Sequence, residues 1–279
     1  MTEKKTWPML QQMKENGERI AMLTAYDYAS AAMAEAAGVD IILVGDSVGN
    51  VVQGCDNTLP VTVDEIIYHT KAVKRGAPNT CILADMPFGS YEVSIEEGVR
   101  NAVRMVKETG CDGVKLEGGI ERAELIRAIT MASVPVMAHI GMTPQKVSQM
   151  GGFKVQGKTT EAAQKLLDSA KALEAAGAVQ VLMECVPAPL AAKITASISV
   201  PTIGIGAGSG TTGQVLVWHD MAGMYDKFTP KFVKRYAEAG KIITDAMTAY
   251  VNEVKGGIFP DDAHSFSLKN AEEILPRLY

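Results

Sequence analysis

The chain has 279 residues, of which 47% are hydrophobic and 21% charged, with a formal net charge of −5. That length can bury a substantial core, as one α/β barrel or two smaller domains, and the composition is that of a soluble globular protein. A mildly acidic chain with no basic stripe is a poor partner for nucleic acid, and no apolar run approaches the length that crosses a bilayer.

The opening Met1-Thr2-Glu3-Lys4-Lys5-Thr6-Trp7-Pro8 has two lysines and no apolar stretch behind them, so no secretion signal is expected. Cys55, Cys81, Cys111 and Cys185 are scattered without C-x-x-C spacing. They read as reduced, buried thiols rather than as zinc or redox groups, which gives the expectation of a cytoplasmic protein.

With no Pro/Ser-rich linker or long charge run, residues 1–279 read as one domain. Strand-length apolar runs alternate with helical patterns, the mark of βαβ units and a parallel sheet. The predicted order starts with a strand at Ile20–Ala25, an Ala-rich helix at Tyr28–Ala37 stopped by Gly38, and a strand at Ile41–Val44. Thr62 and Glu65 read as a capping box for a helix reaching about Arg75. Cys81–Ala84 is the third strand, and Ser94 with Glu97 opens the helix to Thr109. A strand at Gly113–Leu116, a helix near Arg122–Met131 and a strand at Pro135–His139 follow. The glycine-bearing loop Gly141–Lys158 has the length of a lid or binding loop. Beyond it come a helix at Thr160–Ala176, a strand at Ala178–Met183 and a helix at Leu190–Ser197. Strands at Pro201–Ile205 and Val215–Trp218 and a long terminal helix at Pro230–Val254 complete the reading.

A weak repeat, in Ala37-Gly38-Val39-Asp40, Thr109-Gly110-Cys111-Asp112 and Ala176-Gly177-Ala178-Val179, sets a helix-ending glycine before each of three strands. Eight strand–helix periods in this length match a (β/α)8 TIM barrel, with a doubly wound open sheet as the alternative.

Four apolar runs close on an acid: Asp46, Asp85, Glu117 and Glu184. In a parallel barrel those strand ends converge, so four acids there read as one site, and oxygen donors suit a hard ion such as Mg²⁺. Each acid alone has a plainer reading: a cap for Asp46 and Asp85, a solvent-facing residue for Glu117, a structural ion pair for Glu184. Lys115 shares a strand face with Glu117, either as an ordinary ion pair or as a cation for a substrate carboxylate. His139 ends its strand on the same side as the acids, and a structural role is as good a reading for it as a functional one. Glu184 sits among apolar neighbours, and burial would raise its pKa towards the range of a general base. No H-x-x-x-H pair suggests a zinc hydrolase. Gly208, Gly210 and Gly213 fit G-x-G-x-x-G formally, but strand rather than helix follows, so the run reads as a loop approached closely by a ligand or another loop.

The order of several segments resembles the ketopantoate hydroxymethyltransferase (3-methyl-2-oxobutanoate hydroxymethyltransferase) family. These include Thr24-Ala25-Tyr26-Asp27, Val44-Gly45-Asp46-Ser47, Thr58-Leu59-Pro60-Val61-Thr62, Leu83-Ala84-Asp85-Met86-Pro87-Phe88 and Val114-Lys115-Leu116-Glu117-Gly118-Gly119. His139-Ile140-Gly141-Met142-Thr143-Pro144-Gln145, Glu184-Cys185-Val186-Pro187, Ile203-Gly204-Ile205-Gly206-Ala207-Gly208 and His264-Ser265-Phe266 continue the match.

The resemblance implies a (β/α)8 barrel, a homodecamer and a Mg²⁺ ion on Asp46, Asp85 and Glu117. It also implies substrate contacts at Asp46, Ser47, Asp85, Lys115 and His139, with Glu184 as the base. The implied reaction moves a hydroxymethyl group from 5,10-methylenetetrahydrofolate to 3-methyl-2-oxobutanoate, giving 2-dehydropantoate for pantothenate synthesis. Asn50, Cys55 and Thr212 depart from the family pattern, which bears on loop packing rather than on the metal acids. Two rivals remain. One is a Mg²⁺/ketoacid barrel of the phosphoenolpyruvate mutase or isocitrate lyase kind, whose Lys-Cys-Gly-His loop is absent here. The other is a non-catalytic small-molecule binding barrel.

Overall fold

The computed structural model describes residues 4–152, 154–225 and 227–278, with the side chain of Met150 outside the description. Eight parallel strands, each hydrogen-bonded to the next and the last to the first, close into a barrel. The strands are β1 (Ile20–Thr24), β2 (Ile41–Val44), β3 (Cys81–Asp85), β4 (Gly113–Glu117), β5 (Val136–Gly141), β6 (Gln180–Glu184), β7 (Thr202–Ile205) and β8 (Gly213–Leu216). In chain order the helices are α1 (Trp7–Glu15), α2 (Tyr28–Ala36), α3 (Val48–Val51), α4 (Val63–Gly76), α5 (Ile95–Thr109) and α6 (Ala123–Met131). The series continues with α7 (Val147–Met150), α8 (Thr160–Ala175), α9 (Ala188–Ser197), α10 (Trp218–Met221), α11 (Ala239–Lys255) and α12 (Ala271–Ile274). The barrel class read from the strand–helix alternation is the one observed.

The helix starts follow local chemistry. Thr62 and Glu65 form the reciprocal capping box, and Asp27 with Ser30 forms another. At α5 only half forms: Ser94 accepts from the Glu97 amide. Such side-chain caps contribute about 1 kcal/mol each.

Alternation along the strands divides the apolar residues into two clusters. Val114, Leu116, Val181 and Met183 join the outer shell between strands and helices. Ile41, Leu43, Leu83, Met137, Leu182 and Ile203 fill the barrel, and Leu10 and Met13 of α1 pack into the same cluster. Helix α1 lies at the amino ends of the strands, where the Trp7 indole donates to the Asp112 carbonyl at 2.8 Å. The carboxyl ends are left for the site.

The repeated Gly-x-Asp acquires a reason there. Asp40 accepts from the Ala21 amide of β1 at 2.7 Å, and Asp112 from the Ile82 amide of β3 at 2.9 Å. Each staples its own strand's start to the strand before it.

Three expectations need correction. Of the eight strand–helix periods expected, the seventh lacks its helix: residues 206–212 between β7 and β8 form the loop that the glycine run suggested. This loop packs directly on α9, where a Cβ on Gly208, whose φ is +76°, would lie 2.3 Å from that of Ala188. β8 begins at Gly213 rather than Val215, pairing with Ile20, and Trp218 opens α10 instead of ending the strand. The terminal helix begins at Ala239, not Pro230. Residues 230–238 are held out of helix by tertiary bonds: Tyr236 donates its amide to the Met221 carbonyl, and the Arg235 guanidinium reaches Tyr225 and Thr229. Every residue from 241 to 258 is exposed in the single chain.

Candidate active site

The site is set by strand register. Lys115 lies opposite Asp85, and Glu117 opposite His139, while Gly141 lies opposite Glu184. These residues occupy neighbouring strand ends at one rim of the barrel. Gly141 has a φ of +96°, and a Cβ there would lie 2.3 Å from the Glu184 carbonyl oxygen, so only glycine lets β5 end against that residue.

Lys115 is the hub. Its Nζ donates to Asp85 Oδ2 at 2.9 Å and stands 3.4 Å from Glu117 Oε1. Burial opposes its charge, but Asp85, Glu117 and Asp46 outweigh that and hold the ammonium well above its ordinary pKa. The same lysine and His139 pull Glu117 below its usual value against its burial. One ammonium does not balance three carboxylates. Burial first, and then the neighbouring negative charges, push Asp46 up and Asp85 well up. Asp85 and Lys115 thus shift in the same direction, and the direction that decides the site is the lysine's: it stays charged in a cluster short of positive charge.

His139 stands between two acids. Its Nδ1 is 3.4 Å from Glu117 and its Nε2 3.5 Å from Glu184, neither in hydrogen-bond geometry. Burial lowers the imidazole's pKa, with Lys115 adding to the effect, so the ring is neutral near pH 7. Burial, and then the charge of Glu117, raises Glu184 to about 8. A neutral imidazole has one donor and one acceptor. Its donor and acceptor match both acids only with Nδ1–H towards anionic Glu117 and Nε2 towards Glu184 while that carboxyl holds its proton.

Ser47, expected as a substrate contact, shares a 2.8 Å hydrogen bond with the buried Tyr26 hydroxyl. Asp46 donates its amide to Asp85 Oδ2 at 3.0 Å, which joins the ends of β2 and β3. Two residues with no predicted role tie these acids together. Gln145 donates its side-chain Nε2 to Asp46 Oδ2 at 2.9 Å and its backbone amide to Glu117 Oε2 at 3.0 Å, and Tyr91 donates to Gln145 Oε1. Gln145 lay inside a noted motif, but a neutral amide gives no charge or spacing signal. Tyr91 had none at all. The departing residues Asn50 and Cys55 touch each other, Asn50 Nδ2 donating to the Cys55 carbonyl at 3.1 Å. Thr212 instead bonds Thr202 across β7 and β8.

Among the described residues, no group of three or more His, Cys, Asp or Glu is already drawn around one point for a metal. The donor chemistry nevertheless fits a hard dication. Asp85 Oδ1 is buried without a hydrogen-bond partner, and three carboxyl groups surround a single ammonium. Asp46 and Asp85 are the side chains that would hold the ion directly. Both Glu117 oxygens face other groups, so its contact would run through water, as Mg²⁺ sites with one or two carboxylates commonly do.

Fold and site together define a (β/α)8-barrel protein with acid–base groups gathered at the carboxyl mouth of the barrel. The family model described as ketopantoate hydroxymethyltransferase matches residues 4–262. A 3-methyl-2-oxobutanoate hydroxymethyltransferase of Heliobacterium modesticaldum is 56% identical over 268 residues, covering 96% of this chain and 97% of the relative. One from Carboxydothermus hydrogenoformans is 56% identical over 270 residues, covering 97% of each. A phosphonopyruvate hydrolase structure, solved with oxalate and Mg²⁺, superposes with a TM-score of 0.60 at 15% identity, over 98% of this chain and 95% of that one. At that identity it speaks for the fold alone. The chain belongs to the ketopantoate hydroxymethyltransferase family, a family of transferases.

Proposed function

We propose that the chain transfers a hydroxymethyl group from 5,10-methylenetetrahydrofolate to 3-methyl-2-oxobutanoate, yielding 2-dehydropantoate for pantothenate synthesis, with Mg²⁺ as cofactor. One observation carries the reading: Glu184, with its pKa near 8, stands beside His139 at the mouth that also holds Lys115 and the strand-end acids. A carboxylate with that pKa is matched to removing a weakly acidic C–H proton near neutral pH.

In the reaction Glu184, in its deprotonated form, takes the C3 proton of the ketoacid, and the C–H electron pair moves towards the keto group. When bound at Asp46 and Asp85, Mg²⁺ supplies a Lewis acid that polarises that carbonyl. Lys115 offers its ammonium to the substrate's anionic oxygens, and Ser47 a hydroxyl held by Tyr26. His139 orients the Glu184 carboxyl group. One C–N bond of the folate's methylene bridge opens to leave an iminium carbon, and C3 bonds that carbon. Water then displaces the remaining C–N bond, its hydroxyl completing the hydroxymethyl group, while its proton and the one taken by Glu184 go to the two nitrogens as tetrahydrofolate leaves.

The active assembly in this proposal is a homo-oligomer, a decamer as the family resemblance implies, and its place is the cytoplasm. Two features support this. Helix α11 leaves Ile243, Met247, Tyr250 and Val254 exposed at helical spacing, and the four cysteines are unpaired.

The test is proton NMR in D₂O with Mg²⁺ and ketoacid. The C3–H signal should disappear without folate, and 2-dehydropantoate should form once methylenetetrahydrofolate is added. Full retention of the C3–H signal together with no product would end the proposal.

A further inference from the structure

We infer that Gln145 is a positioning residue that fixes the Asp46 and Glu117 side chains relative to each other, and that Tyr91 fixes Gln145; this rests on the transfer proposed above. The hydrogen bonds have one self-consistent direction. The Glu117 amide donates to the Tyr91 hydroxyl at 3.1 Å, and that hydroxyl donates to Gln145 Oε1. The Gln145 Nε2 group spends both of its hydrogens, on Asp46 Oδ2 at 2.9 Å and on the Met86 carbonyl at 3.0 Å. The Gln145 backbone amide donates to Glu117 Oε2 at 3.0 Å.

A carboxamide has one acceptor and two donor hydrogens, and every one is used. Rotating the amide by half a turn would set its oxygen against the Asp46 carboxylate and the Met86 carbonyl, acceptor against acceptor. The Tyr91 hydroxyl also has the Glu117 carbonyl within 3.4 Å as a second acceptor, so it is the Asp46 and Met86 oxygens that fix the amide's direction. Arg122 covers the Tyr91 ring, with its Cζ 5.0 Å from the ring centroid.

Charge explains why a neutral residue stands here. Asp46, Asp85 and Glu117 share one ammonium. A lysine in place of Gln145 would neutralise Asp46. The amide instead aims one oxygen of each acid and leaves their charge for a ligand. Gln145 sits in a single 3₁₀ turn (Pro144–Lys146) of the loop after β5, so the two acids are aimed only while that loop holds this shape.

The experiment uses the full-length protein with Mg²⁺. Gln145→Leu should lower kcat/KM for the transfer by about 10- to 100-fold, the usual range when a group orienting a ligating side chain is lost, and should slow C3 proton exchange comparably. Tyr91→Phe should lower both by about 10-fold, at the lower end of that range. Because Tyr91 reaches Asp46 through Gln145, the double variant should lose less than the product of the two single losses. Multiplying losses would overturn the inference. So would variants with a lower Tm but unchanged kcat, KM and exchange, which would make the pair structural only.

If Gln145→Leu does not fold, Gln145→Glu keeps the shape and turns an oxygen on Asp46; undiminished turnover in that variant would equally overturn it. If the wild-type protein neither exchanges the C3 proton nor forms product, the proposed transfer itself fails. Calorimetric titration with Mg²⁺ alone then tests the positioning role: Gln145→Leu should weaken binding, and an unchanged Kd would sink it.

Discussion

His139 Nε2 lies 3.5 Å from Glu184 Oε2, a histidine held neutral by burial facing a carboxyl group that burial keeps protonated up to about pH 8. Once it has lost its proton, Glu184 can take one from a substrate and return to the neutral form that its buried site favours. That suits Glu184 to proton removal and gives His139 the task of aiming it. Glu184→Gln should therefore bind the ketoacid with an affinity near that of the parent while C3 exchange with solvent stops. NMR exchange and calorimetry on one preparation check both halves, and normal exchange would take the base role from Glu184.

The same carboxyl group makes stability depend on pH. Its ordinary value is 4.5 and its folded value about 8, so between these pH values the folded chain holds a proton that the unfolded chain has lost. Stability must then fall as pH rises through this window, by up to about 1.4 kcal/mol per pKa unit. Urea unfolding at pH 5 and pH 9 should show Glu184→Gln gaining a few kcal/mol on the parent at the higher pH, an order-of-magnitude figure from that linkage. A difference that does not change with pH would mean Glu184 titrates normally.

Lys115→Met removes the ammonium that Asp85 and Glu117 share while keeping much of the side-chain volume. Buried carboxylates left unpaired cost about 3–5 kcal/mol at neutral pH. Glu117 is held below its ordinary 4.5, so its ion pair stabilises the fold above that pH, and the contribution fades as pH falls through the lowered value. The deficit of the variant should accordingly shrink in acid. Chemical denaturation from pH 7 down to pH 3 reads this, and a deficit that widens in acid would contradict the charge balance drawn here.

Helix α11 gives a prediction about assembly. Met247 and Tyr250 are 63% and 57% exposed, too much apolar surface on one stripe to leave in water. Met247→Glu should shift the protein to smaller species in analytical ultracentrifugation, while the barrel's far-ultraviolet circular dichroism stays as in the parent. An unchanged sedimentation profile would exclude this stripe from the interface.

The amino-acid order by itself determined the alternation of strands and helices and the strand ends on which the acids stand, while closure into a barrel rather than a doubly wound sheet came from the strand pairing. Strand-length apolar runs stopped by glycine need only local backbone chemistry, and an acid closing such a run falls at its carboxyl end whatever surrounds it. The pairing of Lys115 with Glu117 was legible for the same reason: a strand repeats its faces every two residues. Tertiary structure alone decided the rest. Residues 230–238 leave the helical pattern because Met221, Tyr225 and Thr229 bind them from outside. The link from Tyr91 through Gln145 to Asp46 joins three loops distant in the chain, and neutral side chains carry no periodic or charge pattern that would announce it. The protonation states of Glu184, His139 and Asp85 likewise exist only after the barrel closes, because burial and the sharing of one ammonium set them.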